Sequence, residues 1–134
     1  MSKFINDTVK TIVGRYGTAD PFTIAEKLNI EVEWCELGDH PLGDTVYEGK
    51  DPIILLNNKI KYSPQRYFTI AHEVGHVVMH ADLNGYYTGR LSYGPLEMQA
   101  SKFASSLMGL LFMEEHDRFP ETMQELKRTY GLPM

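Results

Sequence analysis

The segment His72-Glu73-Val74-Gly75-His76 places the strongest constraint on how this 134-residue chain folds. Around it, apolar residues fall within about 80° of one another on a helix, which predicts one packed side: Tyr67, Ile70, Ala71, Val74, Val77, Val78 and Ala81. Ser63 and Pro64 precede this stripe as an N-cap and a first helical residue. The sequence therefore predicts a helix that packs along its apolar stripe and carries two histidines one turn apart.

The spacing of the polar residues on this helix predicts a metal site. His72 and His76 are four residues apart, so both imidazoles can reach one ion at about 2.0–2.1 Å. Glu73 is rotated by about 100° from His72, which sets its carboxylate beside the ion, as a general base for water requires. The alternative is a solvated polar face, but a shuffled chain of this composition contains the pattern only about 0.01 times. Gly75 also favours a site, because a glycine inside a helix costs about 1 kcal/mol and indicates close approach of another element.

A catalytic zinc ion needs a third protein ligand. His80 lies eight residues from His72, about 12 Å of helical rise, so we interpret it as a residue behind the ligands rather than a ligand. Glu97 stands at the start of a following helix, beside its apolar stripe, where an unpaired carboxylate is costly to bury. A first-turn glutamate favoured by the helix dipole explains Glu97 equally well, so the residues alone leave both interpretations open.

Periodicity in the rest of the chain predicts further helices and a small sheet. Helices are expected over residues 3–15, after an Asp20 N-cap, from Pro95 onward, and over 121–130. Short strands are expected over three segments, and a meander is the simplest way to connect them: 30–35, 45–47 and 52–56. The predicted fold is α+β, a single domain over residues 1–134 with a three-stranded sheet packed against the His72 helix and the Glu97 helix.

Composition excludes several classes of protein and site. Cys35 is the only cysteine, so a cysteine-based zinc cluster and an internal disulfide are both excluded. The longest aliphatic run covers residues 53–56, far short of the roughly 20 residues that span a bilayer. A net charge of −5 with scattered Lys and Arg argues against direct binding of nucleic acid. The first residues lack a secretory signal, so we expect a cytoplasmic protein.

Two motifs resemble those of the ImmA/IrrE family of metallopeptidases. Residues 68–80, FTIAHEVGHVVMH, are similar to the family signature, and residues 97–108 to its second motif, Glu-x-x-Ala-x-x-Phe-Ala followed by a Leu/Met run. Residues 20–25 and 30–32 match its opening helix and strand, so the likeness covers roughly residues 15–112. The chain departs from the family at Gly109, in a position where a proline is common.

The resemblance implies a zincin-like domain that holds one zinc ion per chain. Its ligands would be His72, His76 and Glu97, and Glu73 would be the catalytic acid and base. The implied activity is endopeptidase cleavage of a protein, namely a helix-turn-helix repressor encoded beside the peptidase in a phage or mobile element. Cutting that repressor would make the chain an anti-repressor.

Peptide hydrolysis also needs a donor for the oxyanion, and the loop over residues 83–94 offers four candidates: Tyr86, Tyr87, Arg90 and Tyr93. Anchoring of the loop is the alternative role for each of them.

An alternative for the whole protein is a non-catalytic, zinc-containing regulatory module that binds a transcriptional regulator. A Glu73→Gln variant separates the two functions, because it would keep zinc while removing the catalytic base. The sequence makes no prediction of oligomeric state.

Overall fold

A computed structural model describes residues 3–80 and 94–133. The described chain forms the following elements in order: α1 (Lys3–Tyr16), α2 (Pro21–Lys27), β1 (Glu31–Cys35), β2 (Gly43–Glu48), β3 (Asp51–Asn57), a 3-10 turn (Asn58–Ile60), α3 (Gln65–His80), α4 (Gly94–His116) and α5 (Met123–Tyr130). The predicted α+β class with a three-stranded sheet is confirmed. Within the described ranges, no helix is both long enough and apolar enough to cross a membrane.

Short-range signals set the ends of several elements. The Asp20 side chain accepts hydrogen bonds from the backbone N–H groups of Phe22 and Thr23 and caps α2. Asn29 follows with a positive φ of 59°, and the N–H of Ile30 bonds back to Ala25. The predicted strand over 30–35 therefore begins one residue later, because the backbone of Ile30 still closes the end of α2.

The sheet has the strand order β1-β3-β2, so the predicted meander is wrong. β3 lies in the centre, parallel to β1 and antiparallel to β2. The apolar character of β3 explains its central position, because a central strand pairs with a neighbour along each edge and is the most completely buried strand. Ile54 and Leu56 of β3 are fully buried. β2 is an edge strand of the described sheet, and it contacts α3.

Helix α3 lies in the middle of the fold, packed by α2, α4, α5, β2 and β3. Burial therefore extends around the helix beyond the predicted apolar stripe, and its polar residues Glu73, His76 and His80 are all less than a tenth exposed. Gly75 faces Phe103 of α4, whose ring would lie 3.0 Å from a Cβ placed at that glycine. The predicted close approach at Gly75 is confirmed, and the interpretation of this helix face as solvated is wrong.

Candidate metal centre

The side chains of His72, His76 and Glu97 converge at the contact between α3 and α4. One potential ligand atom from each of them lies within 4.8 Å of the other two. His72 Nε2 is 2.8 Å from Glu97 Oε1, and His76 Nε2 is 3.2 Å from Glu97 Oε2. Two adjacent turns of α3 supply the imidazoles, and the first turn of α4 supplies the carboxylate.

The charges in this cluster are those of a cation site. Hydrogen bonds to His72 and then to His76 hold the pKa of the Glu97 carboxyl far below its usual range, so this carboxylate is ionised at neutral pH. The side chain of His76 is almost fully buried, whereas that of Glu97 is 43% exposed. Two imidazole nitrogens and one carboxylate form a three-residue set of the kind that binds catalytic zinc and leaves one position open. The residues present therefore fit a zinc ion.

Glu73 lies beside this cluster, and its side chain is hydrogen-bonded to the sheet. Its carboxylate is buried and accepts a 2.6 Å hydrogen bond from Thr45 Oγ1 on β2. Burial raises the pKa of Glu73, while the nearby His72 and the Thr45 hydroxyl act in the opposite direction. The side chain is thus fixed in place, and its basicity is increased relative to a solvated glutamate.

Two side chains contact the ring nitrogens that face away from Glu97. Ser101 Oγ is 3.1 Å from His72 Nδ1, and His80 Nδ1 is 3.1 Å from His76 Nδ1. The structure thus places His80 behind His76, and among the described residues the potential ligand group contains only His72, His76 and Glu97. Contacts of this kind orient metal-binding histidines in proteins.

A cavity of about 430 Å³ opens beside the cluster. Its wall combines the polar residues of the centre with apolar side chains from three parts of the chain: Leu42, Gly43, Gln65, Phe68, Thr69, His72, Glu73, Glu97, Gly131, Leu132 and Pro133. Gly43 leaves room for this arrangement, because a Cβ there would lie 2.6 Å from Thr69 Cγ2 and 3.5 Å from Glu73 Cγ. Residues 131–133 therefore form part of the cleft next to the candidate site.

Sequence reasoning missed Thr45, Ser101 and Gln99, the last of which contacts His80. Ser101 follows Glu97 by one helical turn, so helical spacing contained a signal for it. Thr45 is 28 residues from Glu73, and no local pattern links them. The four predicted oxyanion donors, Tyr86, Tyr87, Arg90 and Tyr93, lie outside the described residues.

Comparison with known proteins places these residues in a recognisable context. The family model described as the IrrE N-terminal-like domain, a peptidase family, matches residues 25–133, a range that contains every residue of the candidate centre. The chain is also similar to the uncharacterized immunity region protein 2 of Bacillus phage phi105. The two sequences are 26% identical over 107 residues, which cover 78% of this chain and 67% of the phage protein.

Proposed function

The chain belongs to the peptidase family of the IrrE N-terminal-like domain, as its motifs predict, and from this premise we propose that it is a zinc-dependent endopeptidase. The observation that carries the proposal is the convergence of His72, His76 and Glu97 within 4.8 Å, with the buried Glu73 carboxylate beside them. In this proposal the three converging residues hold the zinc ion, and Glu73 remains available for proton transfer.

A bound zinc ion supplies a Lewis acid that polarises the peptide carbonyl and lowers the pKa of water. Glu73 provides the complementary proton chemistry. Its carboxylate takes a proton from a water molecule as the water oxygen attacks the peptide carbonyl carbon, and later gives that proton to the amide nitrogen as the C–N bond breaks. Burial raises the pKa of Glu73, which makes its carboxylate a stronger base than that of a solvated glutamate and favours the first proton transfer.

Among the described residues β2 pairs with a strand on one side only, so its other edge offers a place for an extended substrate. The carbonyl of Leu42 accepts a hydrogen bond from the N–H of Asn57, so by antiparallel alternation the backbone groups of Gly43, Thr45 and Tyr47 point away from β3. The Thr45 N–H is already bonded to the side chain of Asp44. A peptide that adds to this edge would therefore pair mainly with Gly43 and Tyr47, next to Glu73.

The cavity beside the centre favours an apolar side chain next to the scissile bond. Leu42, Phe68 and Leu132 line it together with the candidate catalytic residues, and its exposed lining is largely apolar. Burial of apolar surface stabilises a complex by about 25 cal/mol per Å². We expect peptides with a large aliphatic or aromatic residue at this position to be cleaved fastest.

The proposed substrate is a transcriptional repressor of the helix-turn-helix type. The similarity to an immunity region protein of a phage supports a context of repressor control. The test is to incubate the purified chain with the repressor encoded next to its gene, with zinc and with a chelator. A fragment that forms only with zinc, and not with the Glu73→Gln variant, supports the proposal.

Other results of the same experiment would contradict the proposal. An intact repressor under all conditions would exclude it as the substrate. A Glu73→Gln variant that binds zinc and still relieves repression would instead support the non-catalytic regulatory module.

A further inference from the structure

His80 connects the candidate metal centre to a residue of α4 that takes no part in the proposed ligand set. Its Nε2 lies 2.7 Å from Gln99 Oε1, and its Nδ1 lies 3.1 Å from His76 Nδ1. His76 presents its other nitrogen, Nε2, to Glu97 at 3.2 Å. Gln99, His80, His76 and Glu97 therefore form one continuous row of polar contacts between α3 and α4.

The chemistry of the atoms gives this row a direction. Gln99 Oε1 is an amide carbonyl oxygen and only accepts, so His80 Nε2 carries the proton of that hydrogen bond. A neutral His80 then has a lone pair at Nδ1, which accepts the proton of His76 Nδ1. With zinc bound, the Nε2 lone pair of His76 would face the ion beside the Glu97 carboxylate; without an ion, this nitrogen donates a hydrogen bond to Glu97 across the 3.2 Å contact.

We propose that Gln99 and His80 are positioning residues that hold His76 in the tautomer whose Nε2 lone pair points toward the zinc site. The inference rests on the proposed function only in that the cluster binds zinc. Without the row, His76 distributes its proton between two nitrogens, and the fraction with a proton on Nε2 does not bind the ion. Loss of such outer contacts typically lowers metal affinity about 10- to 100-fold.

His72 provides an internal contrast. Its Nδ1 is 3.1 Å from Ser101 Oγ, and a hydroxyl both donates and accepts hydrogen bonds. Ser101 therefore orients the ring of His72 without selecting a tautomer. The Gln99 amide, by contrast, favours a proton on Nδ1 of His76. Gln99 is exposed, so its substitution should leave the buried core intact.

The test measures zinc affinity of the full chain by competition with a chelator, with no substrate present. Gln99→Leu removes the acceptor and is expected to weaken zinc binding about 10-fold or more. Gln99→Glu supplies a stronger acceptor at the same place and is expected to match or exceed the wild-type affinity. Met98 is the neighbouring residue and is 58% exposed, so Met98→Leu and Met98→Glu are matched controls for side-chain change and for added charge.

A second readout is the hydrogen bond of the His76 Nδ1 proton in the zinc-bound protein, measured by NMR as the exchange of this proton with water. The expected result is slow exchange in the wild type and faster exchange in Gln99→Leu. Wild-type zinc affinity in Gln99→Leu, equal losses in the Leu and Glu variants, or equal exchange of this proton in the wild type and Gln99→Leu would each overturn the inference. Failure of the wild type to bind zinc would overturn the proposed function and this inference with it, whereas the other outcomes overturn this inference alone.

Discussion

The hydroxyl of Thr45 on β2 donates a 2.6 Å hydrogen bond to the buried carboxylate of Glu73 on α3. This contact joins the edge strand of the sheet to the helix that carries the candidate centre. It also fixes the orientation of a carboxylate that lies beside the centre but outside the group of potential ligands. The position of the proposed base therefore depends on a residue of the strand that we expect to bind substrate.

Replacement of Thr45 by Val is expected to lower peptidase activity without loss of zinc. The variant keeps the shape of the side chain but leaves a buried carboxylate oxygen without its donor, which costs about 1–3 kcal/mol of stability. Urea unfolding and zinc analysis would measure both effects. Thr45→Ser retains the hydroxyl and serves as the control, and equal activities of the Val and Ser variants would show that the hydrogen bond is irrelevant to catalysis.

Glu73→Gln is expected to reduce the cleavage rate about 100- to 10,000-fold, because an amide cannot take a proton from water. The amide oxygen can still accept the hydrogen bond of Thr45, so the fold and the zinc content should remain those of the wild type. The exposed Glu26→Gln is the matched control. Cleavage of an unstructured peptide, followed by chromatography, gives the rates, and near-normal activity of Glu73→Gln would remove Glu73 from the mechanism.

Glu97→Ala is expected to abolish stoichiometric zinc binding. The substitution removes the carboxylate that lies 2.8 Å from His72 Nε2 and 3.2 Å from His76 Nε2. Two histidines alone form an incomplete site, so the loss should exceed the roughly 10- to 100-fold expected for an outer residue. Metal analysis after dialysis is the measurement, with Glu26→Ala as control. One zinc ion per chain in the Glu97 variant would refute this ligand assignment.

Gly43→Ala is expected to destabilise the protein by about 1–3 kcal/mol and to lower activity, because the added methyl group overlaps Thr69 Cγ2 and presses on Glu73. Gly14→Ala is the control, since an added Cβ at that exposed helical position would meet no heavy atom within 4 Å beyond the backbone of its own helix and its chain neighbours. The control should gain about 0.4–1 kcal/mol. Chemical denaturation separates the two variants, and a neutral Gly43→Ala would show that β2 and α3 are less tightly packed than described.

The contact between Arg118 and Glu125 predicts a dependence of stability on acid. Hydrogen bonds from Arg118, and then from the Glu121 backbone, lower the pKa of Glu125 from 4.5 to about 2. A lowered carboxyl pKa stabilises the fold fully above 4.5, and this contribution disappears as the pH falls toward 2. The melting temperatures of wild type and Glu125→Gln should therefore differ at pH 6 and converge near pH 2, roughly as linkage requires. A constant difference across this range would contradict the assignment.

Local chemistry accounts for the features that the sequence predicted correctly. The Asp20 cap and the spacing of His72 and His76 depend on residues within one or two helical turns, and a glycine inside a helix is itself a local signal, although the partner of Gly75 is Phe103 on another helix. The order of the strands has no such local signal, because it depends on pairing between segments far apart in the chain. The same reason explains why Thr45 was missed, since its partner Glu73 is 28 residues away.

The predicted group of Glu97 with the two histidines illustrates an intermediate case. Helical spacing left two interpretations of Glu97 open, and the family resemblance favoured one. The structure brings its carboxylate to both imidazoles, and metal analysis of Glu97→Ala tests its proposed role as a ligand. The outer residues Gln99 and Ser101 were within reach of the same helical argument, yet amides and hydroxyls are common on helix surfaces and carry little signal by themselves.

The contact of Gly75 with Phe103 has a consequence for the energetics of ion binding. Because no side chain separates α3 from α4 at this point, the two helices that carry the candidate ligands are held close together by the packed core. The loss of conformational entropy that brings the donor atoms together thus occurs when the protein folds, rather than when an ion arrives. Gly75 would in this way raise zinc affinity without contacting the ion, because it lets the two ligand-bearing helices pack closely before the ion binds.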